Sequence, residues 1–193
     1  MTGGWGLAYS DYMRFVFDER KTAHAATWLL RHRGSMPYMK LIKLLYLADR
    51  QSLIETGYPL TGDKHFSMDR GPVLSAVLDA IHYGSEVWNQ YVSGPTGYDV
   101  SLALTEETAL YDLSEYDIEV LTHIDETFGH LDQWALVDYT HTLPEWEDPS
   151  GGAIPIDTRV VLQSAGMSDH EIHEIASQVD AVWTFRNLYA TAR

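Results

Sequence analysis

The sequence contains no cysteine, which excludes disulfides, thiolate metal ligands and thiol nucleophiles and suits a reducing cytoplasm. It contains no run of 18 apolar residues, so no membrane-spanning helix is expected. Its start, Met1-Thr2-Gly3-Gly4-Trp5-Gly6, lacks the basic flank and apolar stretch of a signal peptide. A cytoplasmic location is therefore expected. Residues 71–158 hold no Lys or Arg and 17 Asp or Glu; such a stretch repels phosphate backbones, so no direct nucleic-acid partner is expected. The common catalytic signatures are missing too. No Gly-x-Ser-x-Gly elbow exists, and Gly94-Pro95-Thr96-Gly97 lacks the lysine of a phosphate-cradling loop. His170 and His173 are three apart, with Glu174 where a zinc-protease helix needs its second histidine. No cofactor, no metal and no enzymatic activity are expected.

What is present is uneven charge on an apolar chain. The 193 residues are 45% apolar with a net charge of −15, enough for one well-buried domain over 1–193. Eight of the 13 Lys and Arg residues lie in residues 1–50, against four acids there. The acidic middle would attract a cationic surface and speed encounter with it; the plainer reading is a solvated surface kept for solubility.

The periodicity predicts a mainly α (α+β) fold, a compact multi-helix arrangement with one small β-hairpin around residues 87–104. Residues 1–17 read as an irregular start, with Tyr12, Phe15 and Val16 able to tuck in. Asp18 is the expected cap of a helix to Arg33, stopped by Gly34. Pro37 opens a second helix that runs to Thr56 before Gly57. Residues 58–70 read as a loop, and Gly71-Pro72 as the start of a helix ended by Gly84. Val87–Val92 and Tyr98–Leu104 alternate partly around Ser93-Gly94-Pro95-Thr96-Gly97, the pattern of a hairpin. Ser114 is the expected cap of a helix to Phe128, Asp132 of one to about Tyr139, and Asp157 of a short one stopped by Gly166. Residues 141–156, with three prolines and two glycines, read as a long loop, either ordered or disordered. Ser168 and Glu171 have capping-box spacing and open a last helix over 168–190.

Within the second helix, Leu41, Leu44, Leu45 and Ala48 recur at i, i+3, i+4, i+7, the stripe of one buried face. Asp49 and Arg50 follow on that otherwise apolar helix and require partners if buried. The expected role of the pair is to tie this helix to the 58–72 segment, through amides near Gly71. The sharper alternative places Tyr46, Asp49, Arg50 and Met68 at a groove that receives a partner. Asp63, His65 and Asp69 crowd one segment and suggest a hydrolase or nucleotide-modifying site as a rival reading. In Leu143-Pro144-Glu145-Trp146-Glu147-Asp148-Pro149, Trp146 is either a plug on its own domain or an interface anchor; the plug is favoured.

Taken in order, Lys40-Leu41-Ile42-Lys43-Leu44-Leu45-Tyr46-Leu47-Ala48-Asp49-Arg50, Thr56-Gly57-Tyr58-Pro59, Gly71-Pro72-Val73, His141 and Pro144-Glu145-Trp146-Glu147-Asp148-Pro149 resemble the Panacea domain, the SocA-like antitoxin family, over about residues 20–165. The resemblance implies a non-enzymatic antitoxin of a bacterial or phage toxin–antitoxin pair, whose partner is a cognate toxin protein. A basic surface on that toxin is the charge complement, and no membrane is involved. Tyr46, Asp49, Arg50, Met68, His141 and Trp146 are the candidate partner-binding residues. Lys40, Leu44, Leu45, Gly71, Pro72 and Pro144 are the candidate structural motif. A proteolytic adaptor for a toxin or phage protein is the further alternative.

Overall fold

Residues 13–103 and 109–190 are described by the computed structural model. Helix α1 (Glu19–Arg33) starts where Asp18 accepts from the Lys21 amide, and it ends at Gly34 in a positive-φ conformation. Strand β1 (Met36–Pro37) leads into helix α2 (Tyr38–Thr56), whose C-terminus is closed by left-handed Gly57 donating to the Leu53 carbonyl. The expected boundaries of both helices hold. The expected one-sided stripe of α2 does not describe it fully: every residue from 41 to 49 is buried. This helix is enclosed all round, packed by α1, β1 and the later elements described below.

The segment after α2 departs from expectation. Residues 58–70 contain strand β2 (His65–Met68), and Gly71-Pro72 opens strand β3 (Gly71–Leu74), with helix α3 (Ser75–Tyr83) starting four residues later than expected. The two strands pair antiparallel, Met68 opposite Gly71 and His65 opposite Leu74. The Gly-Pro step mimics a helix start because proline suits a first helical turn. Here Pro72 instead occupies the edge strand of a sheet ordered β3-β2-β6, where a missing amide costs little. The cap of α3 is remote in sequence: Asp63 accepts from the amides of Ala76 and Val77 and from Ser75 Oγ.

The expected hairpin is present but shifted. Trp88–Tyr91 is a helical turn, α4, because Ser85 Oγ receives the Trp88 amide and the Trp88 ring is buried. The strands are β4 (Val92–Thr96) and β5 (Asp99–Leu102), turning at residues 97–98, and β1 adds to make a sheet ordered β1-β5-β4. Leu104 lies outside the described residues, as does Tyr12. Phe15 is half-buried and Val16 is exposed.

Helix α5 (Glu115–Phe128) has a full capping box, Ser114 with Asp117. Helix α6 (Gln133–His141) is capped by Asp132 and runs two residues past the expected end. Residues 141–156 are ordered, and strand β6 (Ile154–Pro155) pairs with β2. Helix α7 (Thr158–Ser164) is capped by Asp157, and helix α8 (Asp169–Ala190) follows the Ser168–Glu171 capping box. The fold is mainly α with two small antiparallel sheets, and one of these was absent from the expectation. A single apolar cluster joins α1, α2, α3, α5, α6 and α7, with α2 at its centre. Among the described residues no helix is long and apolar enough to cross a membrane.

Leu44 and Leu45 have no exposed surface. Truncating either at the centre of a packed helix removes transfer energy and leaves a cavity. Leu44→Ala should lower the unfolding free energy by about 3 kcal/mol, read as a lower urea midpoint at unchanged slope.

Candidate functional site

The polar side chains of α2 must find partners inside, because the helix has no wet face between 41 and 49. Asp49 is fully buried. Its Oδ1 accepts from the Thr61 amide at 2.7 Å and its Oδ2 from Thr61 Oγ at 2.6 Å. His65 Nε2 lies 3.0 Å from the same Oδ2, so this nitrogen carries the proton it donates. Asp49 therefore ties α2 to the segment after it, as expected, but at Thr61 and His65 rather than near Gly71.

Arg50 turns the other way. Its Nε donates to Glu145 Oε1 at 2.7 Å, and Nη2 reaches Glu145 Oε2 at 3.4 Å and Ser164 Oγ at 3.3 Å. Tyr46 hydroxyl donates to the same Glu145 Oε1 at 2.8 Å. The Glu145 carboxylate is wholly enclosed, while the Arg50 side chain keeps a fifth of its surface. Burial, first, and the neighbouring Glu145 charge raise the Tyr46 phenol well above its ordinary range, so it stays a donor.

The same loop latches a second time. Trp146 stacks on His141 with ring centroids 4.0 Å apart and planes 21° from parallel. Its Nε1 donates to the Met68 carbonyl at 3.1 Å, and the Glu147 amide donates to Ser67 Oγ at 3.2 Å. The half-buried tryptophan spans α6 and β2 as a plug. Pro144, just before these latches, is exposed.

Lys43 was not singled out in the sequence, yet it is the most unusual group. It is 1% exposed, and its Nζ donates to the Pro72 carbonyl at 2.6 Å. Burial depresses its pKa to about 7. It also explains Gly71: a Cβ there, at φ +86°, would stand 2.8 Å from Lys43 Nζ and 2.6 Å from Thr140 Oγ. The legible signal was a lysine inside the apolar stripe, four residues before Leu47. Lys40, by contrast, reaches the end of α5 and donates to the Gly129 carbonyl at 2.8 Å.

The six residues expected to bind a partner are thus drawn around one clasp formed by α2, β2 and the 143–149 loop. They do not form one open groove. Tyr46 and Asp49 have no accessible surface, and only Met68 lines an open cavity, of about 300 Å³. Asp63, His65 and Asp69 are each spent on a separate structural bond: Asp63 on the α3 amides, His65 on Asp49, and Asp69 on the Gly151 amide at 2.8 Å. Burial raises the Asp63 carboxyl above its ordinary value, against the pull of its amide donors. Among the described residues no group of three His, Asp or Glu is placed to hold a metal ion. His170 stands on an exposed helix face, 3.9 Å from Glu174.

The sequence model of the family described as Antitoxin SocA-like, Panacea domain, matches residues 41–147, more than half of the chain, from the start of the enclosed stretch of α2 to the residue after Trp146. No curated protein and no solved structure matches the chain.

Two measurements probe the clasp. Glu145→Ala strands the Arg50 guanidinium and the Tyr46 hydroxyl and should cost about 3 kcal/mol, read by urea unfolding. A cycle with Arg50→Met should show coupling between the two changes. For Lys43, the folded pKa of about 7 lies below the ordinary 10.5, so the unfolded chain binds more protons between those values. Stability then rises with pH through this window, by about 1.4 kcal/mol per unit where the difference is full. Unfolding at pH 7 and pH 9 should show this rise in the native chain and lose it in Lys43→Met; equal slopes would refute it.

Proposed function

This chain belongs to the antitoxin SocA-like, Panacea-domain family, and from that premise we propose that it neutralises a cognate toxin by direct, stoichiometric binding. Inhibition comes from occlusion: the complex covers the toxin's active site or its substrate-binding patch. The observation that carries the reading is the family match over the segment that builds the clasp. Tyr46, Asp49, Arg50 and Glu145 act in it as positioning residues. They hold the 143–149 loop and β2 in one shape, so the surface they support meets the toxin without reorganising.

Electrostatics supports a toxin with a basic surface. Several acids of the 71–158 stretch are consumed internally: Asp117 by Lys21 at 2.8 Å, Asp125 by Arg33, and Glu145 by Arg50. Others stay in water. On α5, Glu115, Glu119 and Glu126 are exposed around exposed Ile118, and Asp138, Glu147 and Asp148 are exposed as well. A field of this sign steers a cationic partner and raises the association rate more than the final affinity.

The test is coexpression of the adjacent reading frame with and without this chain, followed by copurification. The neighbour should arrest growth alone, become harmless with this chain, and copurify with it in a fixed ratio. The association rate should fall by about tenfold as salt is raised, with a smaller change in the dissociation rate. A neighbour that is harmless alone, or that still kills beside this chain, defeats the reading. Faster loss of the neighbour in the presence of this chain would identify a proteolytic adaptor instead.

A further inference from the structure

Two cavities meet at the first turn of α2 and the tip of the β2–β3 hairpin. One, about 300 Å³, is walled by Tyr38, Met39, Met68 and Leu78 and rimmed by Gly151 and Gly152. The other, about 220 Å³, shares Tyr38, Met39 and Arg70 with it and adds Tyr98 and Trp134. Tyr38 is the partition between them, held by edge contact with His82 at 5.5 Å and by its amide donating to the Tyr98 carbonyl at 2.8 Å. Together they make one apolar, aromatic-walled trough with two flexible thioethers in its lining.

The rim of this trough carries both an exposed cation, Arg70, and an exposed carboxylate, Asp69. Arg70 stands at the junction, exposed, with its guanidinium 5.6 Å from the Trp134 ring. Among the described residues no carboxylate pairs with it. The adjacent Asp69 carboxylate accepts from the Gly151 amide and so braces the rim. Ile42, Lys43, Val73 and His82 also line the larger cavity. In a chain with net charge −15, a cation with no carboxylate partner among the described residues thus stands over an apolar trough.

From this geometry we propose that the trough is a docking site for an extended peptide segment of the partner, apolar side chains filling the two cavities and an Asp or Glu beside them pairing with Arg70. Charge complementarity selects the acid, since the guanidinium offers a bidentate fork to a carboxylate and the ring of Trp134 backs it. Methionine walls re-pack around different apolar side chains, which suits one scaffold meeting more than one partner sequence. A nucleic-acid strand is the weaker occupant. Aromatic walls would stack bases, but a strand needs several phosphate contacts, and one exposed arginine among acids supplies too few. The proposal builds on the antitoxin reading, because it names the anchor by which a basic toxin, steered by the acidic surface, would be gripped locally.

The test uses the purified full-length chain and a random peptide library, with fluorescence anisotropy on the selected peptides. Selected sequences should carry Asp or Glu next to large apolar residues. Arg70→Glu should weaken them by about tenfold or more and Arg70→Lys less, while Gln178→Ala on the exposed face of α8 should leave them unchanged. Tyr38→Ala, checked by thermal melting, is the second variant and should also weaken binding. Selection of basic peptides, failure to select any, indifference to Arg70→Glu, or displacement by single-stranded oligonucleotide would each overturn the proposal. Neutralisation of the adjacent gene's product is scored in parallel. Peptide binding that depends on Arg70 beside a harmless neighbour leaves the trough standing and removes the antitoxin reading. Full neutralisation by Arg70→Glu removes the trough and leaves that reading.

Discussion

Asp49 has no access to water, and much of the polar interior follows from where its two oxygens find donors. A carboxylate enclosed in an apolar cluster is tolerated only when hydrogen bonds replace its hydration. Thr61 supplies two of them from one residue, amide and hydroxyl, which obliges the chain after α2 to fold back along that helix. His65 supplies the third and fixes the start of β2. Once β2 is placed, β3 pairs with it and Gly71 comes to rest against Lys43. The sheet is therefore positioned from the helix outward, by polar contacts more than by strand propensity.

Arg50 and Glu145 extend the same logic to a segment 95 residues away. Loop 143–149 has little regular structure to hold it, and the 141–156 segment around it carries three prolines and two glycines. It is ordered because one end carries a buried charge that needs Arg50 and Tyr46, and because Trp146 closes over His141 with its indole nitrogen satisfied by Met68. Removing a single member leaves others buried without partners, so the clasp behaves as a unit.

The helices were legible because their ends carry local chemistry. Asp18, Ser114, Asp132 and Asp157 each accept from amides two or three residues on, and Gly34 and Gly57 follow their helices in positive φ. The β2–β3 hairpin was not legible, since its two-residue turn, Asp69-Arg70, and its edge proline resemble a loop running into a helix. The cap of α3 is Asp63, twelve residues before Ser75, and no local pattern announces so distant a partner. For the site, the sequence singled out the polar residues of α2 and the Trp146 loop, but not that they face one another. Glu145 was read only as part of its loop. Lys43 appeared only within its motif; a lysine in an apolar stripe usually snorkels to water, whereas here Pro72 and Gly71 roof it.

The residues that carry the family resemblance are largely those that the fold encloses. Tyr46, Asp49, Gly71 and Glu145 are buried, and Trp146 is partly so. A residue without surface selects no partner; it maintains the scaffold on which a surface stands. Membership in the family therefore speaks for the clasp, while under the proposed function discrimination among toxins would fall to exposed groups: the acids of α5, and the trough around Tyr38 and Arg70. These two surfaces act over different ranges. Exposed carboxylates act over about 10 Å and are weakened by salt, so in the proposed complex they would govern encounter. The proposed trough would act only in contact, through apolar burial and one fork-shaped cation, and so would govern how long such a complex lasts. An inhibitor that must capture its target quickly and retain it has use for both.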